Sequence, residues 1–99
     1  MYRRFMSKTV KTKKGLEQVL KVFKENRIAP FFRCNGVPVW NEKDTWHRGY
    51  WREDEVVDMK TLLKEGLTIV ACVGSCRNGS TKKHDVCVEL GFVFVEGEV

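Results

Sequence analysis

In Lys13-Lys14-Gly15-Leu16-Glu17-Gln18-Val19-Leu20-Lys21-Val22-Phe23-Lys24-Glu25-Asn26, the apolar residues Leu16, Val19, Leu20 and Phe23 fall at i, i+3, i+4 and i+7. That spacing stacks them as one stripe along an amphipathic helix. Lys14, Gln18, Lys21 and Lys24 occupy the opposite side. The helix therefore needs an apolar surface beneath it and presents a basic one to its surroundings. Thr12 is a candidate N-cap, since its hydroxyl can accept an early helical N–H, and Asn26 is a candidate stop.

Outward from this helix the chain supplies that surface. Tyr2 to Val10 mixes aromatic, branched and basic residues, as a strand near a sheet edge does. Phe31-Phe32-Arg33-Cys34 and Val37-Pro38-Val39-Trp40 flank Asn35-Gly36, a pair that tolerates the positive φ of a type I′ turn, so they read as a hairpin. Pro38 has no N–H to give a ladder, so its N–H side is expected to face away from the sheet interior or to sit at an edge. Asn41 to Arg52 is a polar, aromatic-rich connection with room for a short strand. Val56, Met59 and Leu63 predict a second helix over Glu53 to Glu65, with Glu53, Asp54 and Glu55 in its first turn, Lys64 in its last and Gly66 beyond it. Leu67 to Val73 is an apolar run between turn signals and reads as a central strand. Gly74 to Lys83 reads as a Gly/Ser/basic loop. In the final stretch Val86, Val88, Leu90, Phe92 and Phe94 alternate with their neighbours at period two, which predicts a strand, bent or bulged at Gly91.

The expected fold is α+β: a two-layer sandwich with a mainly antiparallel sheet and two helices on one face, in the order β-α-β-β-α-β-β. This succession is similar to the βαββαβ order of ferredoxin-like folds, among which RNA-recognition domains are found. At 99 residues the chain has room for one core, so residues 1–99 are read as a single domain. Its longest uncharged apolar run, Leu67 to Val73, is far short of the roughly 18 residues of a membrane span. The first residues lack the apolar core of a signal peptide, so a cytoplasmic protein with no membrane partner is expected. In that reducing compartment Cys34, Cys72, Cys76 and Cys87 are thiols or ligands rather than disulfides.

The net charge of +5 is unevenly spread. Residues 1–33 hold ten bases and two acids, whereas the remainder holds eight bases and eleven acids. A polyanion, or an acidic protein surface, is the partner this asymmetry fits. Lys11, Lys13, Lys14, Lys21 and Lys24 are the candidate phosphate contacts. All three tryptophans lie between Trp40 and Trp51. Trp40 and Trp51 are expected to close the core; Trp46, Tyr50, Trp51, Arg48 and Arg52 are the candidates for stacking on bases or contacting phosphates, with Trp46 and Tyr50 partly exposed. Arg48-Gly49-Tyr50 matches the opening of an RNA-recognition submotif, but Trp51-Arg52 does not continue it.

Two further constellations fall short of a site. Gly74-Ser75-Cys76-Arg77-Asn78-Gly79-Ser80-Thr81 has the two glycines of a phosphate-binding loop, but Ser80 stands where the lysine belongs and a strand, not a helix, is predicted to follow. Arg77, Ser80, Lys82 and Lys83 remain candidates for an anion-binding loop. Cys72, Cys76, His84 and Cys87 are chemically suited to tetrahedral zinc, but their spacing is not that of a finger or knuckle. Cys76 beside Arg77 and His84, itself next to Asp85, lacks a complete nucleophilic arrangement. No catalytic residue, cofactor or metal is assigned. The chain reads as a non-enzymatic regulator that binds nucleic acid, RNA first. The alternatives are an inhibitor or adaptor of viral accessory type that docks on a protein through the aromatic segment, a homodimer included, or a binder of phosphorylated ligands through the Gly74 to Lys83 loop.

Overall fold

The apolar stripe forms the first helix, α1 (Lys13–Glu25), and its ends follow the caps read from sequence. Thr12 Oγ1 accepts from the Gly15 N–H at 3.0 Å. A Cβ on Gly15 would stand 3.0 Å from that hydroxyl, so a glycine leaves the cap undisturbed. At the other end Asn26 is the C-cap and Arg27 takes a left-handed φ of 56°. The Ile28 N–H reaches back to the Phe23 carbonyl at 2.9 Å, closing a Schellman motif.

The computed structural model describes residues 3–49, 55–75 and 81–95, with the backbone alone for Arg3, Ser75 and Thr81. Around α1 the described elements are β1 (Arg3–Val10), β2 (Pro30–Cys34), β3 (Val37–Glu42), β4 (Thr45–Arg48), β5 (Glu55–Val57), α2 (Met59–Glu65), β6 (Leu67–Ser75), α3 (Thr81–Glu89) and β7 (Val93–Phe94). The strands form one sheet in the order β5-β4-β3-β2-β6-β1-β7, with every neighbouring pair antiparallel. β6 lies between β1 and β2 and splits the β1-α1-β2 unit, so a strand from late in the chain, not the hairpin strand β3, completes it. The Asn35-Gly36 turn has φ of 53° and 79°, as a type I′ hairpin requires. Lys43 and Asp44, at 49° and 68°, make a second turn of the same kind between β3 and β4.

Successive strand residues point to opposite faces, and here the two faces differ. Met6, Val10, Cys34, Val39, Trp46, Leu67, Ile69, Ala71 and Val73 share one core with Leu16, Val19 and Phe23 of α1, Leu62 and Leu63 of α2, and Cys87 of α3. This is the inner face, with all three described helices on it. The Phe23 and Phe92 rings meet there at 5.3 Å. The other, open face has no helix over it among the described residues.

Two expectations are corrected. The predicted helix over Glu53 to Glu65 starts late: Val56 and Val57 pair in β5, and the helix begins only where the Asp58 side chain caps the Thr61 N–H at 2.7 Å. Paired β-branched residues favour a strand, and Asp58 supplies the cap immediately after them. The expected strand from Val86 onward, and with it the count of two helices, is also corrected. Residues 81–89 form α3, and only Val93 and Phe94 form a strand. Val86, Cys87 and Leu90 satisfy a helical period as well as an alternating one, and Gly91, at φ 90°, decides between them. The Phe92 and Gly91 N–H groups close a Schellman motif on the Cys87 and Val88 carbonyls at 2.9 and 3.0 Å.

These assignments separate a leucine and a valine that the sequence groups on one helical stripe. Leu63→Ala, in the core, should lower the unfolding free energy by about 2–5 kcal/mol, whereas Val56→Ala, 68% exposed on β5, should change it by less than about 0.5 kcal/mol. Urea denaturation of both variants tests this; equal losses would restore the longer helix.

Candidate functional site

Lys11, Lys13, Lys14, Lys21 and Lys24 are all exposed, as expected. Because Leu16, Val19 and Phe23 turn α1 toward the sheet, these lysines lie on the outer surface of the helix layer. Lys13 approaches Glu17 at 4.0 Å, a surface pair of little energetic weight. Not all of the early charge joins them. Lys8 Nζ donates to the Leu90 carbonyl at 2.6 Å, and Arg4 lies 5.2 Å over the Phe94 ring, which also stacks on His84.

The aromatic segment departs from its reading. Trp46 is 4% exposed and meets Phe32 edge-on at 5.2 Å, so among the described residues it is the tryptophan in the core, and its expected partial exposure is corrected. The parity of β4 explains this: Trp46 and Arg48 face the helices and His47 the open side. Arg48 is engaged inside the fold, its Nη2 2.5 Å from Glu65 Oε2, which also accepts from Cys34 Sγ at 3.1 Å. Burial pushes the Cys34 thiol up to about 11, the Glu65 carboxylate adds to the rise and Arg48 opposes it. This cluster ties β2, β4 and α2 together and leaves Arg48 a poor phosphate contact. Tyr50, Trp51 and Arg52 lie outside the described residues.

The open face carries the aromatics that the sequence reading passed over. Across the sheet Val93 lies opposite Ser7, Ser7 opposite Val70 and Val70 opposite Phe31; Trp40 lies opposite His47 and His47 opposite Val56. Together they make a row over all seven strands, apolar or aromatic except at Ser7, with Val70 at its centre only 4% exposed. Phe31 is 58% exposed, and the half-buried Trp40 stacks on His47 with ring centres 5.6 Å apart. Arg33 follows Phe31 on the same face. The signal was present in Phe31-Phe32: adjacent residues of a strand cannot both enter one core, so one phenylalanine had to face away from the helices.

Between the halves of this row the sheet opens. The β2–β3 ladder ends at Phe32 opposite Val39, although β2 continues along β6 to Pro30 and β3 along β4 to Glu42. A cavity of about 910 Å³ lies there, walled by Leu16, Leu20, Phe31, Phe32, Trp40 and Trp46, with Glu17, Arg33, Asn41 and Asp44 as its polar lining. The buried Trp46 Nε1 has no acceptor among the described residues.

The remaining constellations are dispersed. β6 extends through Ser75 and α3 starts at Thr81, so a helix does follow the glycine-rich loop, contrary to the sequence reading. Lys82 and Lys83 sit in the first turn of that helix, whereas Arg77 and Ser80 lie outside the described residues. Cys72 points to the open face and Cys87 is buried beneath the inner one, so the sheet separates two members of the Cys72, Cys76, His84, Cys87 set; Cys76 lies outside the described residues. No group of three metal-binding side chains occurs among the described residues. No described helix is long and apolar enough to cross a membrane. Comparison with protein-family models, with curated proteins and with solved structures finds no match.

The Cys34 cluster has a pH signature. A thiol raised from 9.0 to about 11 holds its proton more tightly folded than unfolded. Its contribution is complete below pH 9 and is lost as the pH rises through about 11. Urea denaturation across this window should show a steeper loss of stability for the native chain than for Cys34→Ala; parallel profiles would contradict it.

Proposed function

We propose that this protein is a non-enzymatic regulator that binds single-stranded nucleic acid, RNA in the first instance, on its open sheet face. The observation that carries the proposal is the row of Phe31, Trp40 and His47, with Arg33 beside it, on the face opposite the three described helices. Flat side chains on an uncovered sheet are how RNA-recognition domains hold unpaired bases, and a guanidinium nearby serves phosphate or stacks in turn. The net charge of +5 favours a polyanion over an acid-poor surface. The reading places the chain in the cytoplasm, where its thiols stay reduced.

The α1 lysines then play a different part from base contact. Lys14, Lys21 and Lys24 are exposed on the helix layer, whereas the aromatic row lies on the opposite face of the sheet. They steer a long polyanion toward the protein and touch only a strand long enough to pass round the fold. A second reading, an adaptor that docks on protein, draws on the exposure of Val56 and Val93, at 68% and 64%, in the same row.

Oligonucleotide titrations separate these roles. Phe31→Ala and Trp40→Ala should each weaken a short single strand by about 1–3 kcal/mol with little change in salt dependence. Lys14→Ala with Lys21→Ala should leave the short strand unaffected and flatten the salt slope of a long one by about 0.7 per lost contact. Aromatic variants that bind every RNA and DNA as the native chain does, yet lose a protein partner, would replace the nucleic-acid reading by the adaptor.

A further inference from the structure

The cavity at the parting of β2 and β3 has a chemistry distinct from the flat row around it. We infer that it admits one unstacked base of the bound strand and favours bases that carry an exocyclic amino group. This rests on the nucleic-acid reading above and adds base preference to it. The volume of about 910 Å³ lies within the roughly 300–1,000 Å³ of small-molecule sites and holds a nucleobase with space to spare. Its walls supply aromatic faces from Phe31 and Trp40, and the stack of Trp40 on His47 fixes one of them in orientation. A base leaving the row at Phe31 enters without crossing the sheet, because the ladder that would close the way stops at Phe32 and Val39.

The polar lining is mostly acceptor. Asn41 is next to last in β3, Asp44 sits in the following turn and Glu17 projects from α1. Glu17 is already drawn toward Lys13. Asn41 and Asp44 make no side-chain hydrogen bond or ion pair among the described residues. A carboxylate accepts from the cytosine amino group, and an asparagine amide pairs with adenine through its amino group and ring nitrogen. Uracil has a carbonyl where cytosine has its amine, and it turns that oxygen toward Asp44. Arg33, on the other side of Phe31 from Pro30, is the cation placed to hold the phosphate of the entering nucleotide.

The test uses the full chain and homopolymers of about six nucleotides, within the usual site size of single-strand binders. Oligo(A) or oligo(C) should bind at least about tenfold more tightly than oligo(U), the discrimination expected of one good base-edge contact. Asn41→Ala with Asp44→Asn should bring the three within about threefold by weakening the amino-bearing strands and not oligo(U). Thermal unfolding of the double variant, unchanged from the native chain, excludes a folding defect; single Asp44→Asn, which keeps a residue tolerant of positive φ in the turn, provides the second variant if it is not. Equal affinity for all three strands, each weakened by Phe31→Ala, would overturn the base pocket and leave the sheet-face reading standing. No binding of any strand, with Phe31→Ala without effect, would overturn both.

Discussion

β6 is hydrogen-bonded along both of its edges, to β1 from Arg3 opposite Ser75 to Val10 opposite Leu67 and to β2 from Pro30 opposite Ala71 to Cys34 opposite Leu67. The rest of the molecule depends on this double pairing. Leu67, Ile69 and Ala71 are completely buried on one side, and the register of β1 and β2 against them decides which of their own residues join the core. A slip of one residue in either ladder would exchange the two faces of the strand that slips; in β2 it would send Phe31 under the helices and Phe32 outward. Burial of this magnitude, about 25 cal/mol per Å² of apolar surface, makes such a slip prohibitive. The identity of the open face thus follows from the packing of the inner one.

Placing all three helices on one face has a functional consequence. It sets the basic helix on one side of the sheet and Phe31, Trp40 and His47 on the other. The lysines of α1 act through the field they project; Phe31, Trp40 and His47 act through contact. The β3–β4–β5 arm brings half of the aromatic row, and it is held by different forces from the rest: Trp46 packs on Phe32 in the core, and Arg48 reaches Glu65 of α2, which also takes the Cys34 thiol. That anchorage keeps the arm close to β2 near Cys34 while the strands separate toward Pro30 and Glu42, and the cavity is the result.

Local signals in the chain were sufficient wherever one period or one cap had no competitor. The α1 stripe with Thr12 and Asn26 at its ends, the Asn35-Gly36 turn and the central strand from Leu67 were all determined by residues within a few positions of one another, because helix caps and type I′ turns are satisfied by local backbone geometry. The second helix and the final segment were less secure. Val56 fits a helical stripe and a strand alike, and Val86 to Phe94 fits both periods; a short amphipathic window does not discriminate between them. There the tertiary environment decided, through the pairing of β5 with β4 and the packing of Cys87 against the sheet beneath α3.

The site was decided at longer range still. Composition and order alone determined that the chain is basic at its start, that its tryptophans cluster and that one phenylalanine of Phe31-Phe32 cannot be in the core. Which tryptophan is buried depends on the register of β4 on β3, where Asn41 stands opposite Trp46 and Trp40 opposite His47, and register is fixed by turn geometry and by the helices that need Trp46 beneath them. The separation of the lysines from the open face, the exchange of Arg48 from surface to core support, and the parting of β2 from β3 arise only when segments distant in sequence compete for the same apolar surface. Local spacing fixes which residues share a face of one element; only the packed sheet fixes which way that face turns.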